Sequence, residues 1–462
     1  MVAENAATIV ALPSIAETFR TDLSTTQWVL IGYFLTISAV LLPAGRLADI
    51  VGLKPVYLIG LPLFVLGLLA VGAAPNHSFM ILARVVQGIG SAMALGSSMA
   101  ILVSAFPSSE RGRVLGVYMA VVGIGAVMGP IFGGTMIGLL GWRWMFYGIA
   151  LLSGLAIVAA AVILKRDDVL GAATKGRFDW VGVMLSAVAL TAFLLGLTNG
   201  PLLGWGSLLI IMAFTICVVF MLAFIWWERR TLSPMLDMAF FSRRLFSLGV
   251  LASFVEFIGL SSARFLVPFY LQFVLGHSPA QIGFIVVPGA ASMTIMALIS
   301  GGLSDRYGWR VFNVGGLLLT SAGLLVLATL QTHSTSWVVM VGLILAVGGN
   351  GMFYPTNNSS ILSTVEKTSY GIASGFLHLV RNVGNMTGLA VATAIVTAVM
   401  ASAGFSSSLA VLADETQPEL TYAFVAGLRL TYLTMGSFLL VGVLASLFKG
   451  DSTIQVGRET KN

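Results

Sequence analysis

Charge is what this chain has least of. Only 9% of its 462 residues are Asp, Glu, Lys or Arg, beside a 58% share of hydrophobic side chains. Soluble domains carry about 25% charged residues, so an ordinary water-soluble globule is excluded. Cysteine is nearly missing too. Cys217 stands alone in an apolar run, which rules out a disulfide within the chain and leaves a small packing residue. There are four histidines and no paired metal-ligand spacing, no glycine loop of the kind that cradles phosphate, and no polar stretch long enough for a separate soluble domain. Nothing here calls for an enzyme, a metal or a cofactor. The stretch from Gly123 approaches a dinucleotide fingerprint, but its spacing is wrong and no strand precedes it.

What the chain has instead is long apolar runs. Crossing the hydrocarbon core as a helix takes about 20 weakly polar residues. The runs 25–44, 55–74, 79–104, 113–138, 144–164, 180–198, 206–227, 247–275, 280–302, 311–330, 336–356, 371–401 and 423–448 meet that need. Near the start, AATIVALPSIAETF is apolar but too short to cross alone, and is expected to be part of a helix 1 whose first half is missing from this chain. No basic n-region precedes it and no small-residue cleavage site follows, which argues against a signal peptide. The reading is an all-α integral membrane protein of about 14 transmembrane helices, the first truncated.

Basic residues sort by face. If helix 1 runs outward and each later span reverses, most of the 24 Lys and Arg, including Arg46, Lys54, Arg310 and Lys449, fall on one side, while Arg20, Arg143 and Arg429 fall on the other. The positive-inside rule then places the rich face and both termini in the cytoplasm. Counting the short first helix is what keeps this separation clean. The net charge of +6 is therefore a matter of topology in a lipid bilayer and needs no nucleic acid.

One charged segment occurs twice. In GRLADIVGLKPV, Gly45, Leu47, Asp49, Gly52 and Lys54 correspond to Gly301, Leu303, Asp305, Gly308 and Arg310 of GGLSDRYGWR, each pair 256 residues apart. Both copies fall in cytoplasmic loops, as expected of two related six-helix halves in parallel orientation. The expected domains are an N-terminal bundle over 1–165, connectors with two inserted helices over 166–245, and a C-terminal bundle with its tail over 246–462. Glycines in the motif permit a tight turn and close helix approach, and an aspartate at a helix end can accept hydrogen bonds or meet a basic residue. That is the chemistry of a latch that breaks when the halves rock.

Two further strings join it. RVVQGIGSA carries Arg84, Gln87, Gly88 and Gly90, and GAVMGPIFGG carries Gly125, Gly129, Pro130, Gly133 and Gly134. Glycine and proline within a membrane helix allow close backbone approach and bending, so the second string can seal one side of a cavity against a partner helix. With WRWMF at 142–146 and the extra central pair, the chain resembles the major facilitator superfamily, and within it the fourteen-helix drug:proton antiporter branch. Ile50 and Leu53 stand where many members of that family carry basic residues. The resemblance covers nearly the whole chain. It implies two six-helix bundles plus two central helices, a gating loop at the duplicated motif, and an antiporter helix at Gly125 to Gly134.

Ionisable residues inside the spans are few enough to take singly, because a charge at the bilayer centre costs about 2.5–3.5 kcal/mol on insertion scales. Glu4, Arg84, Glu256 and Arg381 are the candidates for proton coupling. The resemblance supplies a role for Glu4: many proteins of this branch carry an acidic residue nine positions before the proline of an ALP element, and Glu4 precedes Pro13 by nine. Arg84 is a partner for it in one state. Glu256 is the counterpart in the second half, able to bind a cationic substrate, carry a second proton, or neutralise Arg264. His378 is read as a structural histidine. Phe265, Phe269, Tyr270, Phe273 and Phe353 suit bulky apolar ligands.

The expected function is a proton-coupled exporter of amphipathic, drug-like compounds, cationic ones among them, working by alternating access as a monomer in a bacterial inner membrane. A uniporter or proton-coupled importer on the same fold is the alternative.

Overall fold

The structure, a computed structural model, describes residues 1–105, 111–163, 179–231, 238–365, 370–405 and 418–449. Among them there is no strand. The long helices are α1 (Val2–Phe19), α2 (Trp28–Val51), α3 (Leu53–Gly72), α4 (His77–Ala105), α5 (Arg111–Leu140), α6 (Trp142–Ile163), α7 (Trp180–Leu203), α8 (Leu208–Glu228), α9 (Arg244–Phe269), α10 (Pro279–Tyr307), α11 (Trp309–Leu327), α12 (Ser336–Leu362), α13 (Tyr370–Ser402) and α14 (Pro418–Phe448). A short turn, Leu23–Thr26, precedes α2, and α9 continues as a wider turn over Tyr270–Val274.

Thirteen segments among the described residues are long and apolar enough to span a membrane, and they coincide with the runs read from the sequence. The extra one is α1. It reaches back to Val2 as a continuous helix of 18 residues, about 27 Å at 1.5 Å per residue, where only a shorter apolar stretch was expected. It closes at Arg20 in the left-handed region, φ 52°, whose N–H returns to the carbonyls of Ala16 and Glu17.

Large apolar side chains such as Leu151, Leu155, Val158 and Val162 on α6 are exposed. In lipid this is the expected outward face, because backbone polar groups are satisfied within each helix and apolar side chains meet acyl chains without cost. The inserted α8 carries this furthest. It buries only 6% of its span, and it packs chiefly on α7.

The chain forms two compact units. The first holds residues 1–231 of the described chain with 278–283, and the second holds 238–277 with the rest from 284 onward. Inside each, one helix pair is drawn together by small residues. On α3, a Cβ at Gly60 would meet the Gly90 carbonyl at 2.9 Å and one at Gly67 would meet the Gln87 Cα at 2.5 Å. On α11, a Cβ at Gly316 would meet the Gly349 carbonyl at 2.8 Å and one at Gly323 the Ala346 Cα at 2.8 Å. Gly60 and Gly67 map onto Gly316 and Gly323 at the same 256-residue offset as the duplicated loop. The repeat therefore governs helix packing as well as loops.

Candidate functional site

In the first unit, α1 and α4 bring two charges together away from solvent. Glu4 and Arg84 are both fully buried and form an ion pair at 2.5 Å. The guanidinium makes two further bonds locally, Nη1 to Gln87 Oε1 at 2.8 Å and Nη2 to Thr8 Oγ1 at 2.9 Å, while Nε has no partner. Thr8, one turn on from Glu4, donates back to Glu4 Oε1 at 3.1 Å. Arg84 also lies over the rings of Phe146 and Tyr33, at 5.1 and 5.6 Å from their centroids, and the Tyr33 hydroxyl bonds Ser91 at 2.7 Å. Opposite charges, aromatic faces and a hydroxyl thus compensate a desolvation that neither charge tolerates alone. Glu4 Oε2 keeps no partner.

The glycine and proline helix, α5, holds the other side of α1. A Cβ at Gly129 would meet the Ala3 carbonyl at 2.5 Å and the Ala6 Cβ at 2.9 Å, and one at Gly133 the Ala7 Cβ at 2.7 Å. Gly125 would just fit, with Ala3 N at 3.6 Å. These positions, four residues apart, make a small-residue stripe that seats the backbone on both sides of Glu4. Pro130 lies within the same helix, and Gly134 faces Pro279 and Gly283, which belong to this unit. The partner helix, left open by the sequence, is the one that carries the acidic residue. WRWMF pins the end of the unit: Trp142 Nε1 donates to Thr18 Oγ1 at 3.0 Å, and Arg143 donates to the Ala74 carbonyl at 3.1 Å.

The second unit is built differently. Glu256 on α9 is fully buried, and its Oε1 accepts from Thr320 Oγ1 at 3.0 Å. The Asn350 amide lies beside it without closing a bond of normal geometry, and Oε2 has no partner. The position equivalent to Arg84, three residues before the Gln87 counterpart Ala346, is Leu343. A pairing of Glu256 with Arg264, one of the alternatives, is not closed. Arg264 Nη2 instead points at Met293 Sδ, 3.8 Å away, and Arg381 donates to Tyr354 Oη at 3.3 Å.

In the duplicated loops, Gly52 ends α2 at φ 110° and Gly308 precedes α11 at φ 80°, the backbone region that glycine alone enters freely. A Cβ on Gly96 would approach Gly45 N at 3.2 Å, so α2 and α4 meet closely there, while Gly301 has open space. Arg310 is exposed and Lys54 is half-buried. The side chains of Asp49 and Asp305 lie outside the described residues.

Lys449, counted from sequence among the basic residues of one membrane face, is only 5% exposed at the end of α14. Its Nζ donates to Asn357 Oδ1 at 2.6 Å and to Ser360 Oγ, and Asn357 in turn donates to Ser253 Oγ at 2.7 Å and the Gly249 carbonyl at 3.0 Å. These partners are all neutral, and burial pushes the ammonium down to about 7. No sequence signal marks this, because a lysine just past an apolar run reads as a loop charge.

Two homologous helical bundles with buried charge at their centres define a polytopic membrane carrier. The chain belongs to the Major Facilitator Superfamily, which residues 1–389 match. Among curated relatives, it is 32% identical over 390 residues to the multidrug resistance protein Stp of Mycobacterium tuberculosis, covering 84% of this chain and 72% of that one. It is 30% identical over 385 residues to the methylenomycin A resistance protein of Streptomyces coelicolor, covering 82% and 80%. It is 28% identical over 439 residues to the riboflavin transporter RibZ of Clostridioides difficile, covering 95% and 92%. A bacterial homologue of the human lysosomal transporter Spinster, solved inward-facing and unoccupied, superposes with a TM-score of 0.66 at 19% identity over 96% of this chain and 94% of that one, a likeness of fold.

Proposed function

We propose that this multi-pass transporter exports amphipathic, drug-like compounds in exchange for protons by alternating access. The observation that carries this is the buried Glu4–Arg84 pair, seated by the Gly129 and Gly133 stripe. A carboxylate at that depth costs too much to be kept without a use, and an antiporter needs a group that exchanges a proton in each cycle. In one state Arg84 holds Glu4 ionised; when α5 and α1 shift, the pair opens, Glu4 takes the proton, and Arg84 is released. Glu256, with its neutral neighbours, is the second proton group. Arg381 acts on it through the positive charge of the same unit. Asp49 and Asp305 latch the cytoplasmic ends of the halves, and the chain works as a monomer in a bacterial inner membrane with both termini inside.

Relatives named for multidrug and methylenomycin A resistance support export. Uniport or proton-coupled import is the second reading, favoured by the relative named as a riboflavin transporter. The test is an imposed pH gradient across vesicles holding the protein and a fluorescent drug. Glu4→Gln is expected to abolish gradient-driven efflux while leaving some binding, and Glu4→Asp to retain part of it. Efflux driven equally well by Glu4→Gln would move the proton site to Glu256, and uptake in the direction of the proton flow would favour the importer.

A further inference from the structure

Of the guanidinium groups in the second unit, Arg264 has no use in the scheme above and Arg381 acts there only through its charge. Arg264 on α9 gives one N–H to a thioether, a weak acceptor, and Arg381 on α13 gives one to a tyrosine hydroxyl at 3.3 Å. Neither forms an ion pair among the described residues, and both are half-buried within spans, where a lone charge is retained only beside a partner or a wet cavity. Met293, the neighbour of Arg264, packs on Gly351, one turn before the Tyr354 that meets Arg381, so both guanidinium groups face the same stretch of α12. The carboxylate in range, Glu256, is turned to Thr320. Each guanidinium carries five donors, so most remain unspent.

Beside them stand aromatic walls. Tyr354 lies under Arg381, 5.9 Å from ring centroid to guanidinium, and packs edge-on against Phe257 at 5.8 Å. Met293, a flexible and polarizable side chain, borders Arg264.

We infer that Arg264 and Arg381 form the seat for an anionic group, a carboxylate or a similar oxyanion, on an amphipathic substrate whose apolar body lies along Phe257, Tyr354 and Met293. Planar forks match the oxygens of a carboxylate, and an anion beside them supplies acceptors for donors that the protein itself leaves unspent. The inference rests on the export reading for what happens next, and it replaces a cationic substrate by an anionic one.

The test measures binding to the purified full chain in detergent, with no gradient present, using dansylaminoundecanoate, its methyl ester and ethidium. The carboxylate is expected to bind about tenfold or more tightly than its ester, which differs only in charge. Arg264→Gln and Arg381→Gln should each remove most of that difference, Arg→Lys at either position should restore part, and ester binding should stay unchanged. Equal binding of acid and ester by the unaltered protein, or preference for ethidium, overturns the inference whatever the variants do. Proton-driven efflux of ethidium alone would leave the export reading standing and this one lost. Selective binding of the acid with no proton-driven efflux would do the reverse.

Discussion

The two bundles share a scaffold and differ in what they place at its centre. Gly60 with Gly90 and Gly316 with Gly349 draw equivalent helix pairs together, so the backbone has the same opportunity in both. In the first, Arg84 fills it and Glu4 is neutralised by an ion pair that Thr8 and Gln87 support. In the second, the equivalent position is Leu343, Glu256 meets a threonine hydroxyl, and the cations stand apart beside a thioether and a phenol. Duplication copied the packing and left the electrostatics free to diverge. One half has its charges spent on each other, and the other has charges to offer.

The sharpest way to break the comparison is to give the first bundle the arrangement of the second. Arg84→Leu leaves Glu4 buried without its cation, and truncating one member of a buried pair costs about 3–5 kcal/mol. A large fall in melting temperature in detergent is expected, with Glu4→Gln in the same chain recovering much of it. An unchanged melt in the single variant would show that the pair is dispensable.

Next comes the seat of α1. Gly129→Leu drives a side chain into the Ala3 carbonyl, and overpacking of this kind costs about 1–3 kcal/mol. Transport should be abolished while membrane insertion, followed by protease protection, stays normal. Normal transport would reduce the stripe to ordinary helix packing. For Glu256, the neutral isostere Glu256→Gln keeps the acceptor for Thr320 and is expected to cost about 1 kcal/mol or less, an effect to be set against that of Arg84→Leu in the same assay. A loss as large as that of Arg84→Leu would mean that the second carboxyl is also ion-paired.

The smallest effect belongs to Lys449. Its ammonium is pushed down to about 7 by burial, against an ordinary value near 10.4, so the unfolded chain binds the proton more tightly than the folded one. Stability from this contact should be lowest below pH 7 and rise as pH climbs toward 10. Lys449→Met should flatten that part of a melting-temperature profile. A profile identical to the parent would place the lysine outside its pocket in solution.

How much of this was legible beforehand follows from range. Apolar runs fixed thirteen spans because membrane insertion is a local property of sequence. Glu4 and Arg84 stood out because charge inside a span is expensive, although 80 residues separate them. Thr8 was readable in retrospect as the residue one turn from Glu4. Thr320 and Asn350 were not, since neutral polar residues in a span cost little and attract no notice. The burial of Lys449 was hidden for the opposite reason: a charge at a helix end has a sufficient local explanation, and its contacts come from α9 and α12, far away in the chain.

The Glu4–Arg84 contact also constrains biogenesis. α1 carries an acidic residue and α4 a basic one, so each bears a cost of about 2.5–3.5 kcal/mol in hydrocarbon until they meet. Pairing therefore ties the placement of α1 to that of α4, and a chain halted before α4 keeps Glu4 without its cation.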